Sequence, residues 1–442
     1  MKHTKLFKSL SATVLLAMGV TGAHAQGLIS TVATGFSQPY GVATDAAGNI
    51  FTANRGDNSI RKISVATGAI SLISGGTAFD PAGFMPSMGG LAIDGVLIEP
   101  DAIFVDPAGN IFFTDWYNDA AILIDAATSH ITNICGHEDQ GCTGDGGDAR
   151  LATLQIPGGI WVDNSNNVYI VDYGSNRIRK IDAPTGIVNT LCGGVYGAAV
   201  SGVPAATAAF GQINGVCVDN YGNVYISDAG NHCIRKIDHA GMIRTIAGTG
   251  VAGNSGDGGP GVNAQISNPG CLFINAAGDL FICDAANNNI RVLNVNTGIM
   301  NTLAGTGAMG YTGDGGLAIS AHLNQPMGVW QDAAGVIFIA DQGNGAIRKV
   351  TGSGYKPTGT NTVAGNNISI FPNPSAGTFT IRTNTVPENG SVTVYNVVGE
   401  KVFATTIDQQ QTNITLNQPA GTYSIVVKTD DGSTTKKVTI VK

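Results

Sequence analysis

The sequence predicts an all-β chain: a six-bladed β-propeller of four-stranded antiparallel blades, followed by a small Ig-like β-sandwich. A strand–turn–strand unit recurs six times at intervals of 56 to 61 residues. No helical periodicity lies between the units, and four-stranded units repeated in this way close into a ring of sheets. Beyond about residue 367 the repeat stops and short alternating strands follow, which is the pattern of a separate small sandwich.

From the N-terminus, Lys2, Lys5 and Lys8 precede an apolar run from Leu10 to Val20 and then Ala23-His24-Ala25 before Gln26. This order of charge, hydrophobicity and small residues is that of a signal peptide over residues 1–25, cleaved between Ala25 and Gln26. The run falls short of the roughly 20 apolar residues that a membrane span needs, and no other segment is long and apolar enough, so no transmembrane segment is expected. The 442 residues are 43% hydrophobic and 12% charged, enough for a large core and more than one domain. The formal charge of −8 contains no basic run after the first eight residues, which sets nucleic acid and anionic lipid aside as partners.

Each repeat is anchored on a turn: Asp45-Ala-Ala-Gly-Asn49, Asp106-Pro-Ala-Gly-Asn110, Asp163-Asn-Ser-Asn-Asn167, Asp219-Asn-Tyr-Gly-Asn223, Asn275-Ala-Ala-Gly-Asp279 and Asp332-Ala-Ala-Gly-Val336. The Asp side chain bonds nearby amides while Gly and Asn accept positive φ, which is hairpin chemistry. Apolar strands flank each turn. A third strand reads Ile60-Arg-Lys-Ile63, Ile178-Arg-Lys-Ile181, Ile234-Arg-Lys-Ile237 and Ile347-Arg-Lys-Val350, and a fourth reads Val188-Asn-Thr-Leu191, Ile243-Arg-Thr-Ile246 and Met300-Asn-Thr-Leu303. The sixth unit has no fourth strand of its own. Leu28-Ile-Ser-Thr-Val-Ala-Thr-Gly35 resembles Met300 to Gly307, so the N-terminal segment is expected to supply that strand and clasp the ring, leaving no open edge.

Gly-Val-x-Val-Asp, Gly-Asn-Val-Tyr-Ile-x-Asp, Asn-x-x-Ile-Arg-Lys-Ile and the Gly-Asp-Gly-Gly loops resemble the NHL-repeat propellers, over about residues 27 to 350. Blade four, Gly215 to Gly259, matches best; blade two departs, with Ala121-Ile-Leu-Ile-Asp125 in place of the Ile-Arg-Lys strand. The propeller is expected over residues 26–354 and a Gly-, Thr- and Asn-rich linker over 355–367. In residues 368–442, Ile370-Phe-Pro-Asn-Pro-Ser375, Tyr395-Asn-Val-Val-Gly-Glu-Lys401, Pro419-Ala-Gly-Thr-Tyr423 and the terminal Lys436 to Lys442 resemble the type A C-terminal sorting domain of type IX secretion substrates of Bacteroidota. That resemblance implies passage through the periplasm to the outer-membrane surface or the medium, with the type IX machinery as partner.

Seven cysteines leave at least one unpaired within a monomer. Cys135 and Cys142 bracket a polar loop and are the disulfide candidate; Cys192, Cys217, Cys233, Cys271 and Cys283 lie in or beside apolar strand patterns and read as small buried hydrophobes.

Chemistry in a propeller is sought where the innermost strands begin: at Tyr40, Asp101, Gly158, Asn214, Gly270 and Met327. Asp101, Glu99 and Asn214 are the only set there resembling a metal-dependent propeller enzyme, a lyase or a lactonase, and calcium or zinc is expected only under that alternative. His130, His137, His232, His239 and His322 read as surface residues. Asp115, Asp172, Asp228, Asp284 and Asp341, with Asn54 in blade one, recur at the end of the second strand and read as a turn requirement. Asp145, Asp257 and Asp314, in the Gly-Asp-Gly-Gly loops, are weak metal candidates, since one carboxylate per loop is too few for a hard cation. The favoured reading is a non-enzymatic binding or scaffold module for an extracellular protein or glycan, without a cofactor. Its contacts are expected on the connections 79–98, 135–153 and 196–210, which depart from the repeat.

Overall fold

The computed structural model describes residues 27–76, 89–136, 140–355, 369–371, 375–382, 390–396, 400–429 and 432–441. The expected cleavage site at Ala25 and Gln26 and nearly all of the expected linker lie outside them. The chain divides into two compact units near Tyr355.

In the first unit, six antiparallel sheets have as their innermost strands Pro39–Thr44, Pro100–Val105, Pro157–Val162, Ile213–Val218, Pro269–Ile274 and Pro326–Gln331. These define blades 1 to 6. Five blades take four consecutive strands, and the sixth takes Pro326–Gln331, Ile337–Asp341 and Ala346–Thr351 with Leu28–Thr34 as its outer strand. The N-terminal segment therefore closes the ring as its likeness to blade 5 predicts, and Gly27 O accepts from Ala318 N to extend the closure.

The anchoring turns form as their residues dictate. Asp45 Oδ1 accepts from the amides of Ala47 and Asn49 while its Oδ2 accepts from the Asn49 side chain, and Asp106, Asp163 and Asp219 hold Asn110, Asn167 and Asn223 in the same way. Between blades, the chain crosses to the outer edge of the next sheet, makes a short 3-10 turn over a buried small residue (Ala92, Ala149, Ala205, Gly261 or Ala318), and returns inward. The three connections that depart in sequence follow this same course in their described parts. Covering the outermost strand's edge is the shared requirement.

Inward, each crossing is stapled to the blade before it. Asn58, Asp119, Asn176, His232 and Asn288 all have positive φ, and their side chains accept from the backbone amides of Glu99, Ile156, Ile213, Asn268 and Gln325. His232 is thus a structural link between blades 4 and 5 rather than an ordinary surface histidine. Tyr355, expected as the first linker residue, is buried against Phe281, and its carbonyl accepts from Gln331.

The second unit is a sandwich of a three-stranded and a four-stranded antiparallel sheet. Alternate residues of Thr378–Arg382, Gly390–Tyr395 and Gly421–Thr429 turn inward, so that Phe379, Ile381, Val392, Val394, Tyr423, Ile425 and Val427 form its core with Val438 and Ile440 of the last strand. Ser375, of the Phe-Pro-Asn-Pro-Ser motif, exchanges backbone bonds with Thr439 and Val441. Tyr423 donates its hydroxyl to Pro419 O, 2.8 Å away.

Candidate binding site in the channel mouth

The second residue of each innermost strand lines the channel mouth, and in blades 1 to 3 so does the residue that follows the second strand. At the latter position blades 1 to 3 place Arg55, Trp116 and Tyr173, whereas blades 4 to 6 place Ala229, Ala285 and Gln342. The repeat makes the six positions equivalent, so this inequality is a property of the sequence and not of the fold. The result is a cavity of about 320 Å³ walled on one side by Tyr40, Arg55, Asp101, Trp116 and Tyr173, and reaching Asn214, Gly270 and Met327 on the other.

The cavity has a floor. The fifth residue of the inner strand is Phe104, Trp161, Phe273 and Trp330 in blades 2, 3, 5 and 6, and these rings pack with centroids 4.8 to 6.2 Å apart. Trp330 is fixed by donation from Nε1 to Thr44 Oγ1 at 3.0 Å. Three of these contacts are edge to face and two are tilted, and rings at such separations attract one another, which plugs the channel below Asp101.

Arg55 lies 4.8 Å from the Tyr40 ring centre and 4.2 Å from that of Trp116, and its Nη2 donates to Glu99 Oε2 at 3.0 Å. Trp116 in turn packs on Tyr173, with ring centres 5.1 Å apart. Arg55 and Glu99 therefore satisfy one another, and Asp101 is left alone. It is 2% exposed and its Oδ1 has no hydrogen-bond partner; Asn214 Oδ1, in blade 4, has none either. Between them blade 3 places Gly158, where a Cβ would stand 3.6 Å from Asp101 Oδ2, so a missing side chain leaves the space open. Burial pushes the Asp101 carboxyl up to about 7, against the pull of Arg55 and with help from Glu99. The same burial, with Asp101 nearby, raises the Tyr40 hydroxyl.

Of the sequence-predicted residues, Asp101 and Asn214 are brought together at the cavity and Glu99 is not: its half-exposed carboxylate is turned to Arg55. Among the described residues no histidine lines the cavity, and His137 lies outside them. One buried carboxylate and one amide oxygen beside a guanidinium do not make the nitrogen and sulfur set of zinc or the six to eight oxygens of calcium. Asp145, Asp257 and Asp314 have a different occupation: each accepts from a buried arginine, Arg179 at 2.9 Å, Arg291 at 2.7 Å and Arg348 at 2.7 Å.

Those arginines reach on their other side to Asp172, Asp284 and Asp341, at 3.8, 3.6 and 3.3 Å, and Arg235 does the same to Asp228 at 3.4 Å. The recurring Asp holds its own turn, where Oδ2 accepts from the side chain three residues on (Ser175, Asn231, Asn287 and Asn344), and it also reaches well beyond that turn. Its Oδ1 accepts from an amide 17 residues earlier (Gln155, Gly211, Ser267 and Asn324) and its Oδ2 faces the arginine, so it ties the end of the second strand to the returning connection. Cys135 and Cys142 stand as separate thiols. Cys135 is sealed in the core at the end of its strand, opposite Ala121, and Cys142 is half-buried in the loop beyond. Arg55, Trp116 and Tyr173 lie outside the inner-strand starts, and the sequence signal for them is the unequal residue after each second strand.

Residues 369–441 match the secretion system C-terminal sorting domain, residues 123–209 the teneurin NHL domain and residues 210–237 the NHL repeat. The chain is an NHL-repeat propeller with a type IX sorting domain. This NHL propeller is 26% identical over 270 residues to protein SUPPRESSOR OF QUENCHING 1, chloroplastic, of Arabidopsis thaliana, covering 58% of this chain and 25% of that protein. It is 29% identical over 221 residues to NHL repeat-containing protein 2 of Bos taurus, covering 45% and 30%; the chain thus spans less than a third of either relative. Crystal structures of auxiliary nutrient binding proteins from Bacteroides ovatus and Bacteroides thetaiotaomicron share its fold, with TM-scores of 0.51 and 0.52 and identities of 17% and 16%. They cover 72% and 73% of this chain, and 69% and 76% of their own. The sorting domain directs the NHL propeller through type IX secretion to the cell surface or the extracellular space. Among the described residues no helix is long and apolar enough to cross a membrane.

Proposed function

We propose that the protein is an extracellular binding module that seats a small ligand, free or as the end of a glycan or protein, in the mouth of the propeller channel. One observation carries this reading: at six positions that the repeat makes equivalent, three adjacent blades supply Arg55, Trp116 and Tyr173 and the other three do not. A structural requirement repeats with the blades, as the Asp and Arg pairs do; a binding requirement breaks the symmetry. A cavity of about 320 Å³ with an aromatic lining and a few convergent polar groups has the character of a small-molecule site. That propellers of this fold are described as nutrient binding proteins agrees with it. The donor set around Asp101 speaks for binding over metal-dependent lyase or lactonase chemistry.

All three tryptophans of the chain, Trp116, Trp161 and Trp330, line this cavity. Intrinsic fluorescence therefore reports on the mouth and little else. Titrating the mature chain with small-molecule and oligosaccharide panels should yield ligands that shift this emission and that lose their effect in Tyr173→Ala. A ligand that binds by calorimetry and leaves the emission unchanged would place function on the loops instead.

A further inference from the structure

Resting on the reading that the mouth is a ligand seat, we propose that the group it receives is an organic ammonium, held by Asp101 and Asn214 above the aromatic floor. The inference follows from what the cavity lacks. Arg55 is paired with Glu99 at 3.0 Å, so Asp101, the one carboxylate lining the cavity, feels Arg55 only through space and makes no ion pair. The two buried oxygens without partners, Asp101 Oδ1 and Asn214 Oδ1, are both acceptors. A ligand that satisfies them must bring N–H or O–H donors, because a buried polar atom left unpaired is costly.

Charge and ring geometry choose between the two kinds of donor. An ammonium supplies both the donors and the missing positive charge, and its bonds to a carboxylate are about twice as strong as neutral ones. The cavity is lined by the rings of Trp161, Trp330 and Phe104 and of Tyr40, Trp116 and Tyr173, and aromatic rings attract cations through their quadrupoles, more strongly where water is excluded. Arg55 already shows the preference at the rim, lying over Tyr40 and Trp116. Gly158 leaves the approach to Asp101 unobstructed. The groups facing Asp101 are Arg55 and Glu99, with Tyr40 and Cys271 further along the wall; none but Arg55 is a cation. Where the free carboxyl carries a proton, ammonium binding expels it to solvent and leaves a carboxylate against the ammonium, so charge and protons balance.

The experiment uses matched probes on the mature full chain: ethanolamine against ethylene glycol, cadaverine against pentane-1,5-diol, and glucosamine against glucose, followed by tryptophan emission at pH 8. The amine of each pair is expected to saturate the change at a concentration about tenfold or more below its alcohol. Asp101→Asn should abolish that preference, and Asn214→Asp, which adds a second carboxylate, should increase it; melting curves establish that both variants fold. Alcohols that equal or outdo the amines would overturn the ammonium while leaving the seat in place. A preference for amines that survives Asp101→Asn would overturn the assignment to this site. Silence from all six probes beside a positive ligand elsewhere in the wider panels would overturn the ammonium alone, and silence in both would overturn the seat as well.

Discussion

Blades 3 to 6 and blades 1 and 2 are built on one repeat and differ in what they do with arginine. In blades 3 to 6 the third strand buries Arg179, Arg235, Arg291 and Arg348 completely or nearly so, each against the Asp that ends the second strand. In blade 2 the corresponding residue is Ile122, and Asp115 has no arginine; in blade 1 Asn54 replaces the Asp, and Arg61 lies half-buried against Asp57. These same two blades place Arg55, Glu99, Asp101 and Trp116 around the channel mouth. Blades 4 to 6 keep the clamp and add no charged or aromatic side chain at the position after the second strand, blades 1 and 2 forgo the clamp and supply Arg55 and Trp116 there, and blade 3 does both, with Arg179 clamped and Tyr173 at the mouth. Repetition in this ring marks what the fold needs, and departure from it marks where the proposed ligand seat lies.

The largest effect is expected from the clasp. Deleting Leu28–Thr34 takes the outer strand from blade 6 and unpairs Ala346–Thr351, and the mature chain should lose its cooperative melting transition; an unchanged transition would show that the ring closes without it. Next come the clamps. Arg348→Met strands the buried Asp341 without its cation, a loss of about 3–5 kcal/mol by analogy with other broken buried pairs, read as a lowered midpoint in urea. Arg61→Met in blade 1 removes a pair whose partners are each about a third exposed and should cost at most about 1 kcal/mol. Equal losses in the two variants would break the comparison between the blade groups.

This contrast also sets how much was legible in the sequence. The ring, its anchoring turns and the N-terminal closure follow from local chemistry repeated at fixed spacing, so Asp45 with Asn49 and Leu28 with its blade 5 counterpart announce their roles. The tag is legible from motifs that keep their order at the end of the chain, Ser375 and Tyr423 among them holding described contacts of the sandwich. Asp101 and Asn214 could be named because the start of an inner strand has a known place in a propeller. The clamps could not be read: Asp145 and Arg179 are 34 residues apart, and nothing local says that a loop carboxylate will meet a strand guanidinium instead of a metal. Nor could Cys135 and Cys142 be separated by spacing, since closeness in sequence does not fix which way a strand-end side chain turns.

The smallest expected effect concerns pH, and it tests the same division. Burial pushes Asp101 and Asp115 up to about 7 from an ordinary 3.8, whereas Asp172 and Asp284, which face arginines as well as amides, rise only to about 6. A carboxyl whose folded-state value lies above its unfolded one holds a proton in the native state that the unfolded chain has already released. Its penalty is absent below about pH 4, grows as pH rises and is complete above about pH 7, so stability should fall across that window. The double variant Asp101→Asn with Asp115→Asn keeps the amide acceptors but cannot ionise, and the fall in melting temperature between pH 5 and pH 8 should shrink. Asp172→Asn with Asp284→Asn should instead lower the melting temperature at pH 8, because the other carboxylates on those arginines, Asp145 and Asp257, are half exposed. If both pairs flatten the profile alike, the arginines of blades 3 to 6 are not what distinguishes the two halves of the ring.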